Sequence, residues 1–203
     1  MSDTTPQPLS RRAQRRADRE QRRADKAQRK DTRKAVRTGR KQLKAGYALA
    51  AANVKRMDPA IREQIGRAGL TAADLQVLAN ASVNAEFQPG RYGQHSQAMA
   101  QEVQARLAQA GPAPRNNFVT RANPMSRWNR NQRAGTKALK QAFTQAGRDA
   151  KRADPAVAAA VARSPFDSLQ LAALASGQVA TVFRQAGQGR QGAGQQGPGQ
   201  QQG

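Results

Sequence analysis

The chain has no cysteine, a single histidine, a single tryptophan and seven other aromatic residues among 203. Each shortage removes a class of chemistry. Without cysteine there is no disulfide framework, no thiolate nucleophile and no Cys-ligated zinc. His95 stands alone, so no histidine metal cluster forms. Its neighbour Ser96 lacks the positioned third group that an activated nucleophile requires. Neither a G-x-x-x-x-G-K-[S/T] loop nor a G-x-G-x-x-G turn occurs. Only 13 residues are acidic, and they are scattered without the pairing that general acid–base work needs. The expectation is a non-enzymatic protein with no metal ligand set and no cofactor.

Long apolar stretches are missing too. The longest mostly apolar run, Tyr47 to Val54, is far short of the roughly 20 residues of a membrane span. The amino end, MSDTTPQPLSRRAQRR, has no apolar leader, which makes the cytoplasm the expected location. With aromatics at 4 % and hydrophobic residues at 37 %, any core must be built largely from Ala, Leu and Val.

What the chain has is positive charge. Thirty-five Lys and Arg give a formal net charge of +22 and a pI near 11.8. Self-repulsion on that scale disfavours compaction, and an anionic partner relieves it. Residues 1–10 and the Gly/Gln-rich stretch 187–203 carry too little apolar surface to offset chain entropy, so both are expected to be disordered.

Sliding the sequence against itself reveals a duplication. Residues 37–87 align without a gap onto 133–183, with 17 of 51 pairs identical. The predicted fold is all-α: two tandem three-helix repeats offset by 96 residues, over 34–88 and 130–186. In each, a first helix (from about Lys34 to Met57 in copy one) buries a stripe, Leu43, Tyr47, Ala50 and Val54, matched by Leu139, Phe143, Ala146 and Ala150. Asp58-Pro59 and Asp154-Pro155 then open a short second helix, Asp as N-cap and Pro at the first helical position. The third helix carries Leu75, Leu78, Val83 and Phe87, or Leu171, Leu174, Val179 and Phe183. The sequence PGRYG is expected to stop it. A connector, 89–129, holds one helix over about 94–110 with Met99, Val103 and Leu107 on one stripe, then a Pro/Asn-rich linker.

Ahead of the first repeat lies a basic helical arm, 11–33. Between Arg11 and Lys44 there are 16 basic residues. Placed at 100° steps around an ideal helix, all 16 fall inside an arc of roughly 140°. A face that serves only solubility needs no such one-sidedness. The opposite face carries Ala13, Gln14, Ala17, Gln21, Ala24, Gln28, Thr32 and Ala35. No Leu or Ile seam for a coiled coil and no bulky apolar face for a membrane-surface helix precedes Leu43. These 34 residues would extend about 51 Å, comparable with about 15 base pairs.

Nucleic acid is therefore the expected partner, DNA before RNA, bound mainly through its phosphates. The candidate residues are Arg11, Arg12, Arg15, Arg16, Arg19, Arg22, Arg23, Lys26, Arg29, Lys30, Arg33 and Lys34 on the arm, and Arg37, Lys41 and Lys44 on the first repeat. Arg127, Arg130, Arg133, Lys137 and Lys140 join them at the start of the second. Lys55, Arg56, Lys151 and Arg152 also recur, but near helix C-termini they suit the helix dipole and are weaker candidates. Between Arg115 and Arg133, five Arg interleave with Phe118, Trp128 and five Asn. That pattern fits base stacking and base-edge contacts, or equally a connector whose Trp128 caps the second repeat. The alternative to nucleic acid is an acidic protein docked on paired helical units; an anionic membrane surface ranks last.

Overall fold

The computed structural model describes residues 11–188, so the expectations for residues 1–10 and for 189–203 lie outside the described residues, as do the side chains of Arg11, Ala13 and 185–188. Among the described residues every regular element is helical. α1 (Arg11–Asn53) runs on into a 3-10 turn, Val54–Arg56. α2 (Pro59–Arg67), α3 (Ala72–Phe87) and α4 (Pro89–Gln109) follow. α5 (Phe118–Ala122) precedes α6 (Arg127–Asp149), a second 3-10 turn over Ala150–Arg152, α7 (Pro155–Arg163) and α8 (Ser168–Gln188).

The caps explain the starts. Asp58 and Asp154 accept from Ala60 N and Ala156 N, each at 2.8 Å, with Pro next in line. Thr71 and Asp74 cap α3 reciprocally. Asp167 and Gln170 exchange the equivalent pair at 2.7 and 2.8 Å ahead of α8. α2 ends at Arg67, and Gly69 beyond its C-cap Ala68 closes the turn with a φ of +63°; in the second copy Ser164-Pro165 stops α7 instead.

Several boundaries differ from the sequence reading. The arm and the first repeat helix are one continuous helix, about 64 Å long at 1.5 Å per residue, because nothing near residue 33 breaks it. PGRYG interrupts but does not stop the chain. Gln88 takes an extended backbone (φ −145°), and Pro89 begins α4 at once, since proline at the first helical position loses no hydrogen bond. Helix α4 therefore starts five residues before the expected Gln94. The linker holds the short α5, capped by Asn117 and Thr120. Helix α6 starts at Arg127, where Ser126 accepts from Asn129 N, three residues before the expected repeat boundary. Helix α8 extends to Gln188, two residues past the expected end.

The larger difference is in packing. The second copy's elements recur 96 residues on, α2 onto α7 residue for residue, but the copies do not form successive bundles. Helix α1 packs on α6, α7 and α8, while α6 packs on α1, α2 and α3. Helices of the same copy scarcely touch one another. Each copy's buried stripe is covered by the other copy, and a single cluster joins Leu43, Tyr47, Ile65, Leu75 and Leu78 to Leu139, Phe143, Val161, Val179 and Phe183. Helix α4 adds Val103 and Leu107 against α3 and α8.

Glycine permits the closest of these contacts. A Cβ on Gly39 of α1 would overlap the Ala158 carbonyl of α7, and a Cβ on Gly135 of α6 would overlap the Arg62 carbonyl of α2. Gly39 and Gly135 are counterparts in the duplication, and so are Arg62 and Ala158. The same backbone-on-backbone approach thus occurs twice.

Candidate nucleic-acid interface

The basic arc divides into two zones. From Gln14 to Lys34 every side chain is exposed, so this part of α1, with Arg12, stands clear of the rest of the protein. Arg12, Arg15, Arg16 and Arg19 lie together on its surface. The free stretch from Arg12 to Lys34 is about 35 Å long at 1.5 Å per residue. The first buried position of α1 is Gly39, where α7 arrives.

From Arg33 onward the same face becomes one wall of a groove of about 830 Å³. Arg33, Arg37, Arg40, Lys41 and Lys44 supply that wall, with Val36 between them; Gly147, Arg148, Lys151 and Pro155, from the end of α6 through the start of α7, supply the other. Seven cations and no carboxylate line it. Tyr47, buried beneath, has its hydroxyl pushed well up by burial and donates to Asn80 at 2.9 Å.

The acids nearest in sequence to the facing wall are committed elsewhere, while Asp31, beside Thr32 on α1, is exposed. Asp149 accepts from Gln76 of α3 at 2.8 Å and Gln145 at 3.0 Å. Those hydrogen bonds, helped by the fields of Arg152 and Lys151, hold its carboxyl below the usual carboxylate range. Asp154 is held low chiefly by the backbone N–H of Ala156, then by the Tyr92 hydroxyl and Arg91 of α4, the latter at 2.9 Å. Ion pairs elsewhere consume Arg106, which meets Asp74 and Glu102 at 2.9 and 2.7 Å. Among the described residues, none of the arc's cations forms an ion pair.

Arg40 is the most constrained of them. Half-buried, it donates from Nη2 to the Ala153 carbonyl at 2.9 Å, and its Nε is buried without a hydrogen-bond partner. It belongs to the arc but falls outside the candidate set, as does Arg148. Lys151, ranked low as a helix-dipole residue, lines the groove. The signal for Arg40 was its place in the arc; for Arg148, which appears only in the second copy, the sequence carries none.

On α6, Arg127, Arg130, Arg133, Lys137 and Lys140 are all exposed. Lys140 lines a smaller depression with Thr144 and Arg148, and Arg148 also borders the large groove. Arg148 therefore links the end of the α1 face to the end of the α6 face. The two faces are unequal. Positions corresponding to Arg33, Arg40 and Arg148 are Asn129, Thr136 and Ala52 in the other copy.

The remaining signals separate cleanly. Trp128 is 6 % exposed and cannot offer its face to a base, whereas Phe118 is 84 % exposed. Arg67, a charge shared by both copies, is buried beside Glu63 at 3.4 Å and donates to the Gly111 carbonyl. Glu63 also accepts from Asn131 of α6 at 2.9 Å, so this arginine fixes α2 against its surroundings rather than facing a ligand. His95 is exposed. Among the described residues no cluster of His and acidic side chains can hold a metal, and no helix is long and apolar enough to cross a membrane. No family model, curated protein or solved structure matches this chain.

Proposed function

We propose that the chain is a non-catalytic nucleic-acid-binding protein, with DNA the favoured ligand, that neutralises phosphates along the exposed basic face of α1. The supporting observation is the arc itself: sixteen cations on one side of a single helix, with no ion pairs among those described. A structural role would tie at least some of them to carboxylates, as Arg67 and Arg106 are tied.

The free arm matches about ten base pairs at 3.4 Å rise. A straight helix cannot track a groove over its full length, so six to ten phosphate contacts is the working range. Arg37, Lys41 and Lys44 extend the same face, and Arg127 to Lys140 form a second basic face. The two copies act as one interlocked unit, a fused duplicate, whose role is to hold these faces in fixed relation. An accessory factor of a plasmid, phage or chromosome fits this reading.

The test is binding of a fluorescent 20-base-pair duplex by the full chain and by a chain lacking residues 1–33. Loss of most affinity on deletion supports the proposal. Equal affinity of the two, or retention of an acidic protein partner in place of DNA, contradicts it.

A further inference from the structure

The groove is a different environment from the arm, and its dimensions select a different ligand. Along the arm, solvent surrounds the helix, so a broad polyanion can lie against the basic face. Beyond Arg33 the end of α6 and the start of α7 close a facing wall, and the space narrows to about 830 Å³. That volume, open to solvent on one side, suits a short stretch of one strand rather than a duplex. The occupant meets apolar surface from Val36 and Pro155 beneath cationic rims, and a guanidinium, Arg40, already held in place by the Ala153 carbonyl. Planar guanidinium groups bind phosphate through a fork and stack on bases.

Resting on the nucleic-acid reading above, we infer that this groove takes a single strand while the arm lies on the adjoining duplex, so that the preferred ligand is a duplex with a single-stranded extension. The continuity of α1 through both zones carries the inference. One straight helix supplies the duplex-facing cations and then, without a break, one wall of the strand-sized groove. The counterpart positions in the other copy lack three of the seven cations, so the described residues hold one such junction site rather than two.

The test compares a blunt 12-base-pair duplex with the same duplex carrying a four-nucleotide overhang, each titrated with the full chain over a range of salt. The expected result is roughly tenfold tighter binding of the overhang substrate at low salt. Its salt slope should be steeper by about 2, at about 0.7 per single-strand phosphate for three phosphates. Arg40→Gln with Lys151→Gln removes that difference, whereas Lys137→Gln with Lys140→Gln leaves the difference intact. Arg148→Gln alone, at an exposed position without hydrogen-bond partners, repeats the loss in part and guards against misfolding of the double variant. Salt-dependent binding of both substrates with equal affinity overturns the inference and leaves the proposed function standing. Absence of binding to either overturns both. Displacement of the overhang substrate by polyglutamate of equal charge, with the same sensitivity to the groove variants, assigns the groove to an acidic protein and overturns the inference.

Discussion

At the scale of single residues, glycine and two buried charges set how closely the helices meet. Gly39→Ala places a methyl group in the Ala158 carbonyl, and Gly135→Ala does the same at Arg62. Overpacking of this kind costs about 1–3 kcal/mol, more than the gain of up to about 1 kcal/mol from replacing a helical glycine. Gly177 in α8 is the control, because nothing lies within 4 Å of its Cβ position. Thermal unfolding followed by circular dichroism should show lower midpoints for the first two variants and a slightly higher one for Gly177→Ala. A rise for Gly39→Ala would contradict the close α1–α7 approach. Glu63→Ala removes the carboxylate beside the Arg67 guanidinium, whose side chain is 6 % exposed, and leaves it the Gly111 carbonyl alone. Removing one partner of a buried pair costs about 3–5 kcal/mol, which urea unfolding measures.

At the scale of elements, acid groups tie helices together and give the fold a pH dependence. Asp154 caps α7 and accepts from Tyr92 and Arg91 of α4, so its carboxyl is held low. Asp74 is drawn up by burial, but hydrogen bonds from Thr71 and the charge of Arg106 outweigh that and leave it low as well. A carboxylate with a depressed folded pKa contributes stability that is fully present above its unfolded value, near 3.9, and is lost as pH falls through the folded one. Stability is therefore expected to hold through the neutral range and to fall below about pH 4. Asp154→Asn should lower stability at pH 7 and flatten that acid limb; an unchanged limb would show that the α4–α7 tie contributes nothing.

Much at this scale was legible in the sequence. Every residue of the stripes Leu43–Val54 and Leu139–Ala150 is buried, as the four- and three-residue spacing implied. The caps at Asp58 and Asp154 were marked by their side chains and by the proline that follows each. The start of α4 was not, because PGRYG reads as a stop until the chain shows that Pro89 serves as a first helical residue. The basic arc was fully legible, since angle around a helix depends only on spacing. The facing wall of the groove was not: Arg148 and Pro155 reach α1 only through tertiary packing, and no local pattern announces a neighbour about 110 residues away.

At the scale of the whole molecule, the duplication predicted the elements, but the expected pairing into successive three-helix repeats is replaced by packing between the copies. Periodicity says which face of each helix is buried, not which copy buries it. Because the helices of one copy pack almost entirely on those of the other, neither copy retains a covered core alone. Chains cut between residues 113 and 114 should each be largely unfolded and should regain helicity when mixed. Independent folding of the carboxy-terminal piece would contradict the interlocked arrangement.

The interlocked unit fixes α1 while leaving its basic face clear, and the central claim is that this face neutralises phosphates. The most direct measurement is the affinity of the full chain for a short duplex between 50 and 300 mM salt. Six to ten neutralised phosphates predict a slope of log affinity against log salt of about −5 to −9, at about −0.9 each. Absent binding at low salt, or a slope near zero, would contradict the account.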